Sequence, residues 1–163
     1  MSTLITKPHL LTQEGLDRLQ EELYFLEHTR REELADRLHR ALEDGQDDDF
    51  VDNAALEAAR NDQSFVEGRI LELKDILSNY ELIEDDGQPS DIVRIGHTVT
   101  VVEEGFDEEE EYVLVGAAEA DPAAGRISNE SPLGRVLLGA KVGESVRVNA
   151  PNGVLNFRIA KID

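Results

Sequence analysis

Residues 43–60 read EDGQDDDFVDNAALEAAR: six carboxylates fall in the first ten positions with no base among them, and an alanine-rich helix former follows without a break. What flanks this stretch decides its meaning. Upstream, from Leu16, apolar positions fall at Leu19, Leu23 and Leu26 and resume with Leu34, Leu38 and Leu42 after Arg30 and Arg31 interrupt. Downstream, a second seam runs through Val66, Ile70, Leu73, Leu77 and Tyr80. Steps of three and four mark one face of a helix, and charged residues cover the other faces. Thr12 suits an N-cap, Glu14 the first turn, and Gly45 the helix end. Neither seam can stay dry alone, so the two helices are expected to pair as an antiparallel hairpin with 43–52 at its turn. A helix of about thirty residues spans roughly 45 Å, so the hairpin is expected to project with the acidic turn at its tip.

Composition bounds the function. The chain has 163 residues, enough for one ordinary domain or two small ones. Its 36 acidic residues against 16 basic ones give a net charge of -20, which repels phosphate backbones at long range and disfavours general nucleic-acid coating or sequence-specific DNA binding. No cysteine is present, so disulfides and thiolate metal sites are excluded. The start, MSTLITKPHLLT, lacks the form of a signal peptide, and no run of about 18 apolar residues occurs. A cytoplasmic protein without membrane contact is expected.

The second half changes period. IEDDGQPSD (83–91) reads as a linker, and IVRIGHTVTVV, YVLVG and SVRV then favour β-branched residues in strand-like runs. Asn152-Gly153, between SVRVNAP and VLNFRIAKI, signals a hairpin turn. SPLGRVLLG reads as one short helix capped by Ser131 and stopped by Gly139. DEEEE (107–111) reads as a solvated hairpin loop. The result is an α+β chain: a helical hairpin over 1–83, a linker over 84–91 and a compact domain over 92–163.

Most catalytic signatures are missing. His28 and His39 share a helix face but stand three turns, roughly 16 Å, apart, too far to hold one metal. GESVR (143–147) fails the last position of a nucleophile elbow. GRVLLGAK (134–141) is out of step with a phosphate-binding loop and lacks the hydroxyl after its lysine. Nothing sets a serine beside a histidine.

The turn has two compatible readings. Asp49 can serve as N-cap of the second helix with Asp52 at its third residue, where acids meet the positive end of the helix dipole. Two carboxylates three residues apart can also offer oxygens to a hard divalent cation such as Mg2+. Capping uses one or two acids, yet Asp44, Asp47 and Asp48 are here as well, and like charges so crowded are costly unless something outside the molecule neutralises them. Mg2+ keeps most of its water and binds a carboxylate pair weakly, so the chain alone is expected to be no stable metal enzyme.

The stretch from Asp49 through Asp52, Asn53, Arg60, Gln63, Phe65, Glu67, Gly68, Arg69 and Ile70 resembles the pattern of the Gre-factor family, the bacterial transcription elongation factors GreA/GreB. LTQEGLDRLQEELYFL (11–26), LSNYELI (77–83) and ISNESPLGRVLLGAKVGE (127–144) match the same family in the same order. The resemblance implies an N-terminal coiled-coil hairpin and an FKBP-like C-terminal domain that docks on the rim of the RNA polymerase secondary channel. It further implies an accessory factor, not an enzyme, whose tip stimulates cleavage of backtracked nascent RNA at its 3' end. By motif position, Asp49 and Asp52, with Asp48 beside them, are the metal-holding acids. The Mg2+ is shared with the polymerase. Arg60 and Arg40 are the RNA-proximal bases, and Glu130, Ser131 and Pro132 match the polymerase-contacting turn.

Three departures from the family pattern stand out. Asp52 takes a place usually held by glutamate in factors that promote cleavage, Gln46, Asp47 and Asp48 read as an insertion, and Leu42 stands where an arginine is expected. An aspartate-rich tip also resembles the inhibitory Gre homologues, which occupy the same channel and block synthesis. A structural coiled-coil or chaperone-like module is the third possibility. Proline isomerisation is disfavoured, because Phe106, Tyr112 and Phe157 are the only aromatics of the C-terminal half.

Overall fold

The computed structural model describes residues 6–44, 52–84 and 87–163, and the side chains of Asp44, Asp52 and Asn53 are outside that description as well. Gly45, Gln46, Asp47, Asp48 and Asp49 therefore lie outside the described residues, as does part of the 84–91 linker. The chain divides into two compact units, Leu16–Asn79 and a second that joins Met1–Gly15 to Tyr80–Asp163. The architecture is α+β, with a helical hairpin and a curled sheet.

The hairpin is built from α1 (Gln13–Phe25), α2 (Arg31–Asp44) and α3 (Asp52–Ser78), with a π-helical turn over Leu26–Arg30 between the first two. That turn explains how the interrupted first seam stays continuous. In an unbroken α-helix the eight-residue step from Leu26 to Leu34 overshoots by about 80°, at roughly 100° per residue. A π-turn, closed here by Arg31 N–H donating to the Leu26 carbonyl, absorbs one residue and brings Leu34 back to the same side. Leu34, Val66 and Ile70 accordingly form one buried cluster, with Leu23 and Leu26 packed on it.

On α3 the buried positions are Ala59, Val66, Ile70, Leu73 and Ile76. The second seam is thus correct through Leu73 and then shifts: Ile76 is buried, Leu77 half-buried, and Tyr80 lies in a strand after the helix has ended at Ser78. Leu42 is 48% exposed, so the apolar contact of the first seam fades before the tip.

Ion pairs flank the seam. Arg31 makes two 2.7 Å bonds to Glu67, Arg69 bonds both oxygens of Glu22 at 2.7 and 2.9 Å, Arg37 reaches Asp62 at 2.6 Å, and Lys74 reaches Glu27 at 2.6 Å. These partners fix an antiparallel register between the two arms of the hairpin. They also perturb titration: the hydrogen bond from Lys74 holds the Glu27 carboxyl below its usual range, and the bond from Arg31 does the same to Glu67. Glu22, first, and then Glu72 push the Arg69 guanidinium further up.

The other unit holds a five-stranded sheet in the order β5-β4-β3-β7-β6, from β3 (Thr98–Glu103), β4 (Glu109–Val115), β5 (Arg126–Ser128), β6 (Ser145–Ala150) and β7 (Gly153–Ile162). All neighbours are antiparallel except β4 and β5. Strict alternation along β6 turns Val146 and Val148 inward and leaves Ser145, Arg147 and Asn149 exposed. The core joins these to Val93, Val99, Val101, Leu114, Ile127, Leu137, Ala140, Phe157 and Ile159. The short helix α4 (Pro132–Leu137) contributes Leu137 and touches β6.

Two local expectations shift by small amounts. Glu109, Glu110 and Glu111 belong to β4, so only Asp107 and Glu108 of the DEEEE run remain in the loop. The last hairpin pairs Ala150 with Gly153, which centres its turn on Pro151-Asn152. Proline fixes a negative φ and, among the described residues, none other than glycine has a positive one, so the mirror-image Asn-Gly turn is excluded and Gly153 takes the unusual φ of 132°.

One element has no counterpart in the sequence reading: β1 (His9–Leu11) pairs in parallel with β2 (Tyr80–Leu82). Two strands of three residues are marginal alone. Here Leu11 is fully buried and its carbonyl accepts from Ile83 N–H at 2.8 Å.

Candidate functional site

The residues singled out for chemistry fall at three places. At the hairpin turn the backbone of Asp52 opens α3, while Asp48 and Asp49 lie outside the described residues. No cluster of three or more His, Cys, Asp or Glu arranged to hold a metal occurs among the described residues. The acids available at the turn offer carboxylate oxygens only, a hard donor set that suits Mg2+ and not a soft metal.

The second place is the arginine set of the hairpin. Arg30 pairs with Glu33, Arg31 with Glu67, Arg37 with Asp62 and Arg69 with Glu22. Arg40 differs: its Nε donates to the Asp36 carbonyl at 3.3 Å, and it pairs with no carboxylate among the described residues. Arg60, exposed on α3, likewise makes no ion pair with a described residue. Because Arg37 faces Asp62 across the antiparallel register, positions 40 and 60 stand nearly level, on the tip side of that pair. Sequence alone could not separate Arg40 from Arg31 and Arg37, because their sorting depends on which acids the partner helix brings across.

The third place is the turn before α4. Ser131 caps that helix as expected: its Oγ accepts from Gly134 N–H at 3.0 Å while donating to the Ser128 carbonyl at 2.7 Å. Glu130 N–H donates to Ser128 Oγ at 3.0 Å. A Cβ on Gly134 would lie 1.9 Å from the Ser128 carbonyl oxygen, so the helix start can approach the turn this closely only with glycine. The Ser131 hydroxyl is therefore occupied internally, and the turn presents the Glu130 carboxylate and the Pro132 ring outward.

A further residue, missed by sequence reasoning, organises the start of α1. Thr12 caps the helix, its Oγ1 accepting from Gly15 N–H at 3.0 Å. The glutamate that a capping box would carry at position 15 is absent; instead Glu119, 107 residues away and only 5% exposed, takes its part. Glu119 Oε2 accepts from Thr12 N–H and Oε1 from Thr12 Oγ1, both at 2.7 Å. A Cβ on Gly15 would fall 1.8 Å from Glu119 Oε1, which is why this position is glycine.

Comparison with known proteins turns on both units together. Residues 9–82 match the family described as transcription elongation factor, N-terminal, and residues 88–163 match transcription elongation factor, GreA/GreB, C-term. The chain belongs to the GreA/GreB family. Relatives named transcription elongation factor GreA include that of Clostridium botulinum (strain Kyoto / Type A2), 42% identical over 96% of both chains. That of Acetivibrio thermocellus is 43% identical over 96% of both. That of Caldanaerobacter subterraneus subsp. tengcongensis is 44% identical over 97% of this chain and 99% of its own. Among solved structures, the GreA factor homolog 1 (Gfh1) of Thermus thermophilus is 30% identical over 96% of this chain and 99% of its own, with a TM-score of 0.44. No helix among the described residues is long and apolar enough to cross a membrane.

Proposed function

We propose that this GreA/GreB-family protein is an accessory factor that enters the secondary channel of RNA polymerase and stimulates cleavage of backtracked nascent RNA. The observation that carries the proposal is the sorting of the hairpin's arginines. Arg30, Arg31, Arg37 and Arg69 are consumed by carboxylates of the hairpin itself, whereas Arg40 and Arg60 pair with none that is described. In a chain of net charge -20, two such guanidiniums near an acidic turn suit the phosphates of an extruded RNA end. The acids Asp48, Asp49 and Asp52 would hold a Mg2+ shared with the polymerase, too weakly to keep it when the chain is alone. Mg2+ held there supplies the second ion of two-metal phosphodiester hydrolysis. Glu130 and Pro132 would contact the polymerase, with Ser131 shaping their turn.

The test uses stalled, backtracked polymerase carrying labelled RNA in Mg2+ buffer. Added protein is expected to release short 3' fragments. Asp49→Asn combined with Asp52→Asn is expected to slow release by about a hundredfold or more, the scale for removing preorganised electrostatic stabilisation, without abolishing binding. The aspartate run at 47–49 and Asp52 in place of glutamate favour a second reading, an inhibitor acting in the same channel. Slower nucleotide addition with no fragments would establish that reading instead, and absence of binding would defeat both.

A further inference from the structure

Phe65 belongs to the stretch that matches the family pattern, yet neither the fold nor the chemistry proposed above uses it. Its ring is 80% exposed, more than any other large apolar side chain among the described residues. The seam passes it by, since Val66 and Ile70 carry the burial on α3. A single exposed apolar residue is ordinary, so its surroundings decide its meaning.

Residues three and four apart on a helix share a flank. Phe65 therefore lies between Asp62, which pairs with Arg37 of α2, and Arg69, which pairs with Glu22 of α1. Arg40, three residues past Arg37, stands on that same flank and pairs with no carboxylate among the described residues. Arg40 and Phe65 sit on either side of the Arg37–Asp62 pair, about 9 Å apart along the axis. One turn beyond Phe65 is Gly68, where an added Cβ would meet nothing within 4 Å. Glycine inside a helix costs stability relative to alanine, and no described contact requires it here. The ring thus borders open space on an otherwise polar flank.

These features select a class of ligand. An apolar protein anchor needs a contiguous apolar patch, and Asn61, Asp62, Gly68 and Arg69 give Phe65 none. A nucleobase needs only a flat ring with room beside it and a cation within reach of the adjoining phosphate, the pattern of single-strand binding.

We infer that Phe65 stacks a base of the extruded RNA while Arg40 holds a nearby phosphate. This role rests on the transcript-cleavage reading and deepens it. From Asp52, where α3 opens, to Phe65 is about 20 Å along the helix, so only a long extruded 3' end reaches the ring. Phe65 then makes the protein favour deeply backtracked complexes over those displaced by a nucleotide or two.

The experiment compares fragment release from two sets of stalled polymerase, one with a short extruded 3' end and one with a long end, with thermal melts as fold controls. On the long end, Phe65→Ala and Phe65→Leu are each expected to slow release about tenfold, the scale of one lost stack, and Phe65→Trp to stay within about twofold of wild type. Gly68→Leu, which fills the open space without lowering the melting temperature, is expected to reproduce the loss. Leu71→Ala, at another exposed apolar position of α3, is expected to change release less than about twofold. On the short end all variants should match wild type. Wild-type release by Phe65→Ala on the long end would overturn the stacking role and spare the cleavage reading. So would wild-type release by Phe65→Leu alone, which would identify a plain apolar contact, or an equal loss on short and long ends. A wild-type protein that releases no fragment from either set would defeat the cleavage reading and this role together.

Discussion

The hairpin and the globular unit solve the same problem, burial of apolar surface, with different means. The globular unit closes a core of eleven buried residues between a five-stranded sheet and a short helix. The hairpin has a seam two helices thick, in which Leu34, Val66 and Ile70 form the buried cluster and ion pairs run along the flanks. A two-helix seam excludes water from one line only, so its charged flanks carry a larger share of specificity than any charge does in the sheet. The lesson is that a slender arm can be specified by register rather than by core volume.

Core truncation breaks this comparison most strongly. Leu114→Ala, at a fully buried site enclosed by the sheet, is expected to cost about 3–5 kcal/mol, and Ile70→Ala in the seam about 2–3 kcal/mol, because two helices can close partly around the void. Hydrogen exchange resolved by region checks this: Leu114→Ala should lower protection in β3–β7 and Ile70→Ala in α2 and α3. Equal losses at the two sites would show that the seam is as rigid as the sheet core.

Titration sharpens the contrast, because the shifted carboxyls of the hairpin and the shifted tyrosine of the globular unit titrate at opposite ends of the pH scale. Glu27 and Glu67 have carboxyls lowered by Lys74 and Arg31. Their contribution is present above the ordinary value of 4.5 and is lost as pH falls through the lower folded values. In the globular unit, burial first and the Glu110 carboxylate second push the Tyr112 hydroxyl up to about 12 from 10.0. That contribution is complete below pH 10 and lost as pH rises through about 12. Acid is therefore expected to loosen the hairpin first and alkali the sheet first, followed by helical circular dichroism in acid and tyrosinate absorbance in alkali. A Tyr112 that ionises near pH 10 in the native protein would contradict the alkaline half.

The smallest effect concerns the flanks. Arg69→Met removes the forked contact with Glu22 and the bond to Glu72 but keeps an apolar stem over the seam. The expected loss is about 1 kcal/mol or less and should shrink in high salt, as for exposed ion pairs generally. A loss that ignored salt would identify packing, not charge, as the role of Arg69.

Much of this was legible in the residues themselves. The spacing of Val66, Ile70 and Leu73 announces a buried helix face, Thr12 and Ser131 announce caps, and the β-branched runs after residue 92 announce strands. The family followed from ordered blocks that span nearly the whole chain. Phase was harder: the offset between Leu26 and Leu34 appears in sequence as a gap, and only the π-turn reveals how the backbone absorbs it. The candidate site was legible as residue types. Which arginines are paired across the hairpin could not be read, since that depends on acids such as Glu67 and Asp62 approaching from the opposite helix.

By itself the sequence determined two amphipathic helices around an acidic turn and a β-rich second half, because the period of apolar residues is a local property that each element carries along its own length. Tertiary structure alone decided the parallel pairing of β1 with β2, the cap that Glu119 lends to Thr12 across 107 residues, and a cleft that Lys7 and Glu130 both line. Each of these joins backbone or side-chain groups whose partners lie far along the chain. Hydrogen-bonding capacity is the same at every residue until the fold chooses which groups meet, so no local pattern records the choice.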